Sequence, residues 1–521
     1  MSYLSLYFLL KTGLYYGHSI GFHWGLNLLL AGLGFWPLPA GRWQRARAWM
    51  VWLLALALLY HDSFLPTPER IWSQLGALGG FSADYLLELV RRIISPYALL
   101  GLALVVLVYT ALSRWLRFAT LAWLAILSVP LMAMLGASTA PADAAMGLAG
   151  NGSTAPVAST PDTELQAFYA REHLRKLVFP ASVAPPAFDV IVLHVCSLSW
   201  DDLDFVNERN APLLKRFDVL FSNFNSAASY SGPATYRIFR GNCGQSAHAR
   251  LYQGTDDSCY TFPALEKAGF TTNGLLNHNG IFDGFAKIVE HEGGLGGHME
   301  SNRNGTIQMQ SFDGSPVYDD YGLLSQWWTQ RLKKGSAPVA LYYNTISLHD
   351  GNRLPGITSR SSLDTYKPRL LKLLADFDRF VTQLEASGRP VVLMLVPEHG
   401  ASLRGDKVQI PGMREIPDPK ITLVPAAIKL IGMKVPSTPG ASAGPVLVQQ
   451  DMSYFGLNTL LADLMRDNPF VPGGIPLAQR LEALETTPFV AENDDVVMLR
   501  NPAGGYVLKS NDGTWVPFGK P

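Results

Sequence analysis

The 521-residue sequence predicts an α-helical, multi-pass membrane domain followed by an α/β domain whose mostly parallel central sheet is covered by helices. Three observations lead there. Long apolar runs crowd the first 137 residues and then stop. Beyond residue 187, short continuous apolar runs alternate with helical patterns. Three of those short runs are each followed at once by side chains that can do chemistry. Lys plus Arg and Asp plus Glu balance at 42 each, so no global charge points to nucleic acid as a partner.

The membrane domain is assigned to residues 1–137. Spans are expected near 20–38, 46–61, 95–113 and 118–136, each about long enough to cross roughly 30 Å of hydrocarbon. Residues 3–17 are a fifth candidate, weakened by Lys11, so the count is four or five. No small-residue cleavage site follows a short apolar core, which argues against a removable signal peptide. Arg42, Arg45 and Arg47 share one short loop and Arg114 and Arg117 another; both loops should be cytoplasmic. The chain beyond residue 137 then lies outside the inner membrane. Arg91 and Arg92 break this rule, and an amphipathic interfacial helix over about 82–94 would accommodate them. Residues 138–186, rich in Ala, Pro, Ser, Thr and Gly, read as a linker with a short helix at Thr163–Leu177.

In the outer domain, residues 187–521, the runs Asp189–Val195, Pro338–Ile346 and Pro390–Val396 are short and largely apolar, continuous rather than alternating. Such strands belong to a parallel sheet covered on both faces, and sites gather beyond the carboxyl ends of its strands. Cys196 follows the first run, His349 the second, Glu398-His399 the third. A fourth element, Ser229-Tyr230-Ser231-Gly232-Pro233, leads into a helical stretch. Ser231 is placed as its N-cap, with proline in the first turn. A hydroxyl at a helix N-terminus also sits where backbone N–H groups favour a phosphate.

Cys196, Ser231, Glu398 and His399 make a plausible four-coordinate site, and sulfur with nitrogen favours Zn²⁺ over the all-oxygen shells of Mg²⁺ or Ca²⁺. Zinc would lower the pKa of the Ser231 hydroxyl and make it a nucleophile. His349, in Ser347-Leu348-His349-Asp350, suits a proton shuttle. His278 and Arg414 are candidates for substrate contacts, with a solvated or structural role equally open for each. Of three cysteines, Cys243 and Cys259 remain as the pair that can bridge in an oxidising compartment, worth ~3 kcal/mol.

The segments VLHVCSLSWDDL, NSAASYSGPATYRIFRGNCGQ, SLHDG and VPEHGA, with the apolar runs and linker before them, resemble the BcsG family of cellulose phosphoethanolamine transferases over essentially the whole chain. The resemblance implies an alkaline-phosphatase/sulfatase-like periplasmic domain anchored in the bacterial inner membrane. It implies transfer of phosphoethanolamine from phosphatidylethanolamine to the 6-hydroxyl of glucose units in cellulose, through a phosphoethanolamine–serine intermediate. Carried over by residue, it implies Ser231 as zinc-bound nucleophile, with Cys196, Glu398 and His399 as the other ligands. His349 becomes the acid/base, Tyr230 and Arg414 fall in the substrate site, and Cys243–Cys259 form a disulfide.

Related lipid A transferases usually carry Glu, Thr and Asp-His where this chain has Cys196, Ser231 and Glu398-His399. A sulfatase would need arginine where Thr235 stands. Trp327, Trp328, Tyr342 and Tyr343 are either core or the lining of a sugar groove. Alternative readings are a phosphodiesterase or phosphoglycerol transferase of the same fold, or a structural partner of the cellulose synthase complex.

Overall fold

The computed structural model describes residues 3–17, 19–37, 41–63, 68, 72, 79–93, 96–138, 160–183, 185–406, 408–433, 444–494, 496–509 and 513–519. The chain divides into two compact units: one of residues 1–72, 89–158 and 406–410, the other of residues 73–88, 159–405 and 411–521.

The first unit is helical. Its helices are α1 (Leu4–Tyr16), α2 (Trp24–Phe35), α3 (Arg42–His61), the end of α4 (Ala83–Ile93), α5 (Pro96–Leu112) and α6 (Phe118–Ser138). Leu4 and Phe8 of α1, Leu30 and Ala31 of α2, Val51 and Ala55 of α3, and Ala122 and Ile126 of α6 form its core. Many other apolar side chains face outward, among them Trp49, Leu53, Leu100, Leu107 and Leu124. Among the described residues no helix is long and apolar enough to cross a membrane. Helix α2 has 12 residues, and α3 takes Arg42, Arg45 and Arg47 into its first two turns instead of leaving them in the expected loop. Arg114 and Arg117 do lie between α5 and α6, and α4 falls where an amphipathic helix was expected. Residues 139–159 of the expected linker lie outside the described residues.

The second unit is built on a seven-stranded sheet. Its strands are β1 (Asp189–Val195), β2 (Val219–Phe221), β3 (Thr271–Leu276), β4 (Val339–Thr345), β5 (Val391–Pro397), β6 (Ala427–Ile431) and β7 (Val446–Val448). In space they run β7-β2-β6-β5-β1-β4-β3. The sheet is mixed: β6 is antiparallel to both β2 and β5, while the other neighbours pair in parallel. Strands β1, β4 and β5 are buried at every position, because both faces are covered. Val190 and Val192 point into one core layer with Tyr342, Met394 and Val396. Ile191 and Leu193 point into the other, with Tyr343, Leu395 and the apolar faces of the helices Asp320–Lys333 and Tyr366–Ala386. Trp327, Trp328, Tyr342 and Tyr343 are all buried in these layers. That removes the sugar-groove expectation: side chains sealed in the core cannot line a groove.

The helix expected at Thr163–Leu177 spans Pro161–Leu174, with Thr160 accepting from the Thr163 N–H at its start. Its Phe168 packs on Val490 and Leu499 of an antiparallel meander formed by Val490–Asn493, Val496–Arg500, Tyr506–Lys509 and Trp515–Phe518.

Candidate metal centre

Register places the chemistry. Val195 at the end of β1 pairs with Pro397 on one side and Thr345 on the other, so the residues after the three strands leave the sheet at one edge. Backbone hydrogen bonding continues past the tips: Glu398 N–H donates to Val195 O, Leu198 N–H to His399 O, and Cys196 N–H to Thr345 O. Cys196 is thereby laced to Glu398-His399 before any side chain is considered.

The loop after β1 is held by Asp202. Ser199 and Asp202 cap each other at the start of the short helix Trp200–Phe205, and Asp202 also accepts from the N–H groups of Ala401 and Leu403. Burial pushes the Asp202 carboxyl up to about 6, with those hydrogen bonds pulling the other way. The packing explains glycine at 400, where a Cβ would lie 2.5 Å from Ser199 Oγ and 2.8 Å from Asp202 Oδ2.

Ser231 arrives from elsewhere. It is the first residue of the helix Ser231–Phe239, and Tyr230, not Ser231, stands at the N-cap. The serine hydroxyl is therefore not used for capping. It lies 3.4 Å from Cys196 Sγ and 3.3 Å from His399 Nε2. Cys196 Sγ is 3.9 Å from His399 Nε2, and Glu398 Oε2 is 3.8 Å from the same nitrogen.

These spacings fit a tetrahedral ion. Ligand atoms around zinc at ordinary bond lengths stand about 3.3–3.6 Å apart, close to the separations seen. His399 Nδ1–H donates to Gly400 O, 2.9 Å, which leaves the Nε2 lone pair facing the cluster. Glu398 Oε1 accepts from Asn344 at 2.5 Å, whereas Oε2 is buried with no hydrogen-bond partner among the described residues. An orphaned carboxylate oxygen of this kind calls for a cation. Burial raises the Cys196 thiol to about 12, Glu398 adding to the effect, and lifts Glu398 itself to about 7. It also holds His399 well below its usual value, with the nearby Arg414 charge acting in the same sense. A divalent ion inverts that balance for the two acids.

The remaining candidates surround this cluster. Tyr230 OH donates to Glu415 at 2.5 Å, and the Arg414 guanidinium lies 5.6 Å from the Tyr230 ring centre. Arg414 also donates to Ser197 Oγ at 3.3 Å. His349 Nδ1–H donates to Asp350 O at 2.6 Å. Burial, then Arg414, depress its pKa to about 4, so it rests neutral. Of the two readings open for His278, a substrate contact or a structural role, its bonding supports the second. Its Nδ1 accepts from Gly280 N–H at 3.1 Å and its Nε2 donates to Asn344 Oδ1 at 2.9 Å. Both nitrogens are thus committed, and it buttresses the residue that holds Glu398. Cys243 and Cys259 are disulfide-bonded, and Cys196 is free and buried.

Asn344 and His194, whose Nδ1 is 3.4 Å from Glu398 Oε1, escaped the sequence reading. Their signal was available: each is a polar residue near the carboxyl end of a largely apolar strand. Burial holds His194 down to about 3, so it stands beside Glu398 as a neutral ring.

Fold and site together define an α/β protein with a candidate metal centre assembled around a serine hydroxyl at the tips of its parallel strands. The family can be stated. The C-terminal domain model of cellulose biosynthesis protein BcsG matches residues 149–515, and the N-terminal domain model matches residues 4–131. The chain belongs to this family. It is 37% identical to cellulose biosynthesis protein BcsG of Salmonella typhimurium over 99% of this chain and 95% of that one. The Escherichia coli protein of the same name is also 37% identical, with the same coverage. Solved structures are more distant. An alkaline phosphatase superfamily protein from Vibrio parahaemolyticus has TM-score 0.46 at 13% identity, covering 70% of this chain and 92% of that one. Lipooligosaccharide phosphoethanolamine transferase A of Neisseria meningitidis has TM-score 0.43 at 13% identity, covering 85% and 96%.

Proposed function

We propose that this chain is a membrane-anchored, zinc-dependent phosphoethanolamine transferase with an alkaline-phosphatase-like domain in the periplasm. Its donor is phosphatidylethanolamine and its acceptor the 6-hydroxyl of glucose units in bacterial cellulose. The observation that carries the reading is the Ser231 hydroxyl, 3.4 Å from a free thiol and 3.3 Å from an imidazole lone pair. Membership of a cellulose biosynthesis family supports the acceptor. The exposed apolar side chains of α3, α5 and α6 support an inner-membrane location by several helices, beside the donor lipid and the subunits of the cellulose synthase complex.

Cys196, Glu398, His399 and Ser231 would hold the ion. Zinc bound there lowers the pKa of the serine hydroxyl and offsets charge on the phosphoryl oxygens. Ser231 Oγ then attacks phosphorus, and the bond to diacylglycerol breaks. His349, neutral at rest, carries the proton given up by Ser231 to the departing alkoxide. The product is a phosphoethanolamine ester of Ser231. In the return step His349 takes the proton of the glucan hydroxyl as that oxygen attacks, and passes it back to Ser231. Tyr230 and Arg414 flank the phosphoryl group, Arg414 as its cation, and His278 steadies Glu398 through Asn344.

The test is mass spectrometry of the full chain incubated with phosphatidylethanolamine vesicles. The expected result is one phosphoethanolamine adduct, on Ser231, absent in Ser231→Ala and discharged by added glucan. An adduct on another residue overturns the nucleophile. Turnover of the lipid at equal rate without glucan makes the activity a hydrolysis.

A further inference from the structure

Residues 79–88 lie in the sequence between the apolar helices α3 and α5, yet they fold as part of the second unit. Their side chains converge on the loop after β4, which carries His349. Tyr85 OH donates to Asp350 Oδ2 at 3.1 Å, and the carbonyl of the same Asp350 accepts from His349 Nδ1. Glu88 is 2% exposed. Its Oε1 accepts from Ser362 N–H at 2.7 Å and Ser361 Oγ at 2.8 Å, and its Oε2 pairs with Arg353. Ser362 Oγ in turn donates to Asp350 Oδ1 at 2.6 Å.

Aromatic packing reinforces the junction. Phe81 lies 5.5 Å from Phe312, whose ring centre is 4.7 Å from that of His349. Gly351 has φ +83°, and a Cβ there would lie 2.4 Å from Phe312 and 2.9 Å from the Tyr85 ring. Only glycine lets the loop approach this closely. A buried carboxylate is costly unless its oxygens are filled, and those of Glu88 are filled by the loop that follows His349. The Asp350 carbonyl also fixes the His349 tautomer, leaving Nε2 as the nitrogen that carries protons.

We infer that Tyr85 and Glu88 are positioning residues for His349, so that a segment borne on the membrane-domain sequence completes the acid/base side of the centre. The inference rests on the function proposed above. A soluble fragment beginning near residue 160 would keep the metal ligands and lack this brace.

The experiment uses the full chain in detergent with two donors: phosphatidylethanolamine, and a nitrophenyl ester of phosphoethanolamine, whose leaving group needs no proton, so that the Ser231 proton can pass to water instead of through His349. Tyr85→Phe and Glu88→Gln should lower kcat on the lipid roughly 10- to 100-fold, with KM changed less than about twofold. Adduct formation from the nitrophenyl ester should stay within about twofold of wild type. Neither substitution should add further loss to His349→Ala. Equal losses on both donors, or no loss on either, overturn the inference. If His349→Ala is donor-selective and the two variants are not, the inference alone falls. If His349→Ala treats both donors alike, the acid/base assignment fails and the inference goes with it.

Discussion

Ser231 Oγ and His399 Nε2 stand 3.3 Å apart although 168 residues separate them in sequence. Neither position is set by the other's neighbourhood. His399 is placed by a parallel strand and its backbone bonds to the loop after β1. Ser231 is placed by the first turn of a helix whose N-cap is Tyr230. A single ion between them would tie the sheet edge to the helix.

Zinc should therefore stabilise the fold measurably. Added to the metal-free chain at about 100 times its dissociation constant, it should contribute about 2.7 kcal/mol, read as a raised thermal midpoint. Cys196→Ala and His399→Asn should lose most of that shift. An unchanged shift in both variants would place the ion elsewhere.

Asn344 supplies the hydrogen bond to Glu398 Oε1. Asn344→Ala should leave the ligand free to rotate and weaken zinc binding about 10- to 100-fold. Competition with a chelator of known affinity measures this directly, and an affinity equal to wild type would show that the brace is not needed.

Gly400 has no room for a side chain against Ser199 and Asp202. Gly400→Ala should displace the loop next to His399 and cost about 1–3 kcal/mol, seen in urea unfolding. Turnover should fall with it, because the ligand moves with the loop. Unchanged stability would mean that the loop yields freely.

Burial depresses the His278 pKa to about 4, against the opposing pull of its bond to Asn344. The unfolded chain takes up this proton near pH 6.5, the folded chain only near 4. The group's stabilisation is thus present above pH 6.5 and is lost as pH falls towards 4. His278→Gln, which keeps a donor for Asn344, should reduce the slope of unfolding free energy over that range. The reduction should approach one proton, about 1.4 kcal/mol per pH unit; a slope equal to that of wild type would contradict the assignment.

The candidate ligands were legible because three of them follow continuous apolar runs, and a doubly covered sheet makes such runs stand out. Ser231 was legible through the proline and glycine that follow it. Asn344, His194 and Glu415 were not singled out, since they act through other side chains and no local pattern announces that. For His278 the sequence leaves a substrate contact and a structural role equally open. In the fold it is buried and both its nitrogens are used.

The strands and the residues at their tips follow from the order of amino acids alone, because apolar continuity and abrupt polar endings are local properties of the chain. Long-range packing alone made β6 run against its neighbours, put Trp327 and Tyr342 in the core, and brought residues 79–88 against the loop of His349. Those outcomes depend on which distant surfaces meet. Their free energy comes from burial and hydrogen bonds between segments that no window along the chain brings together.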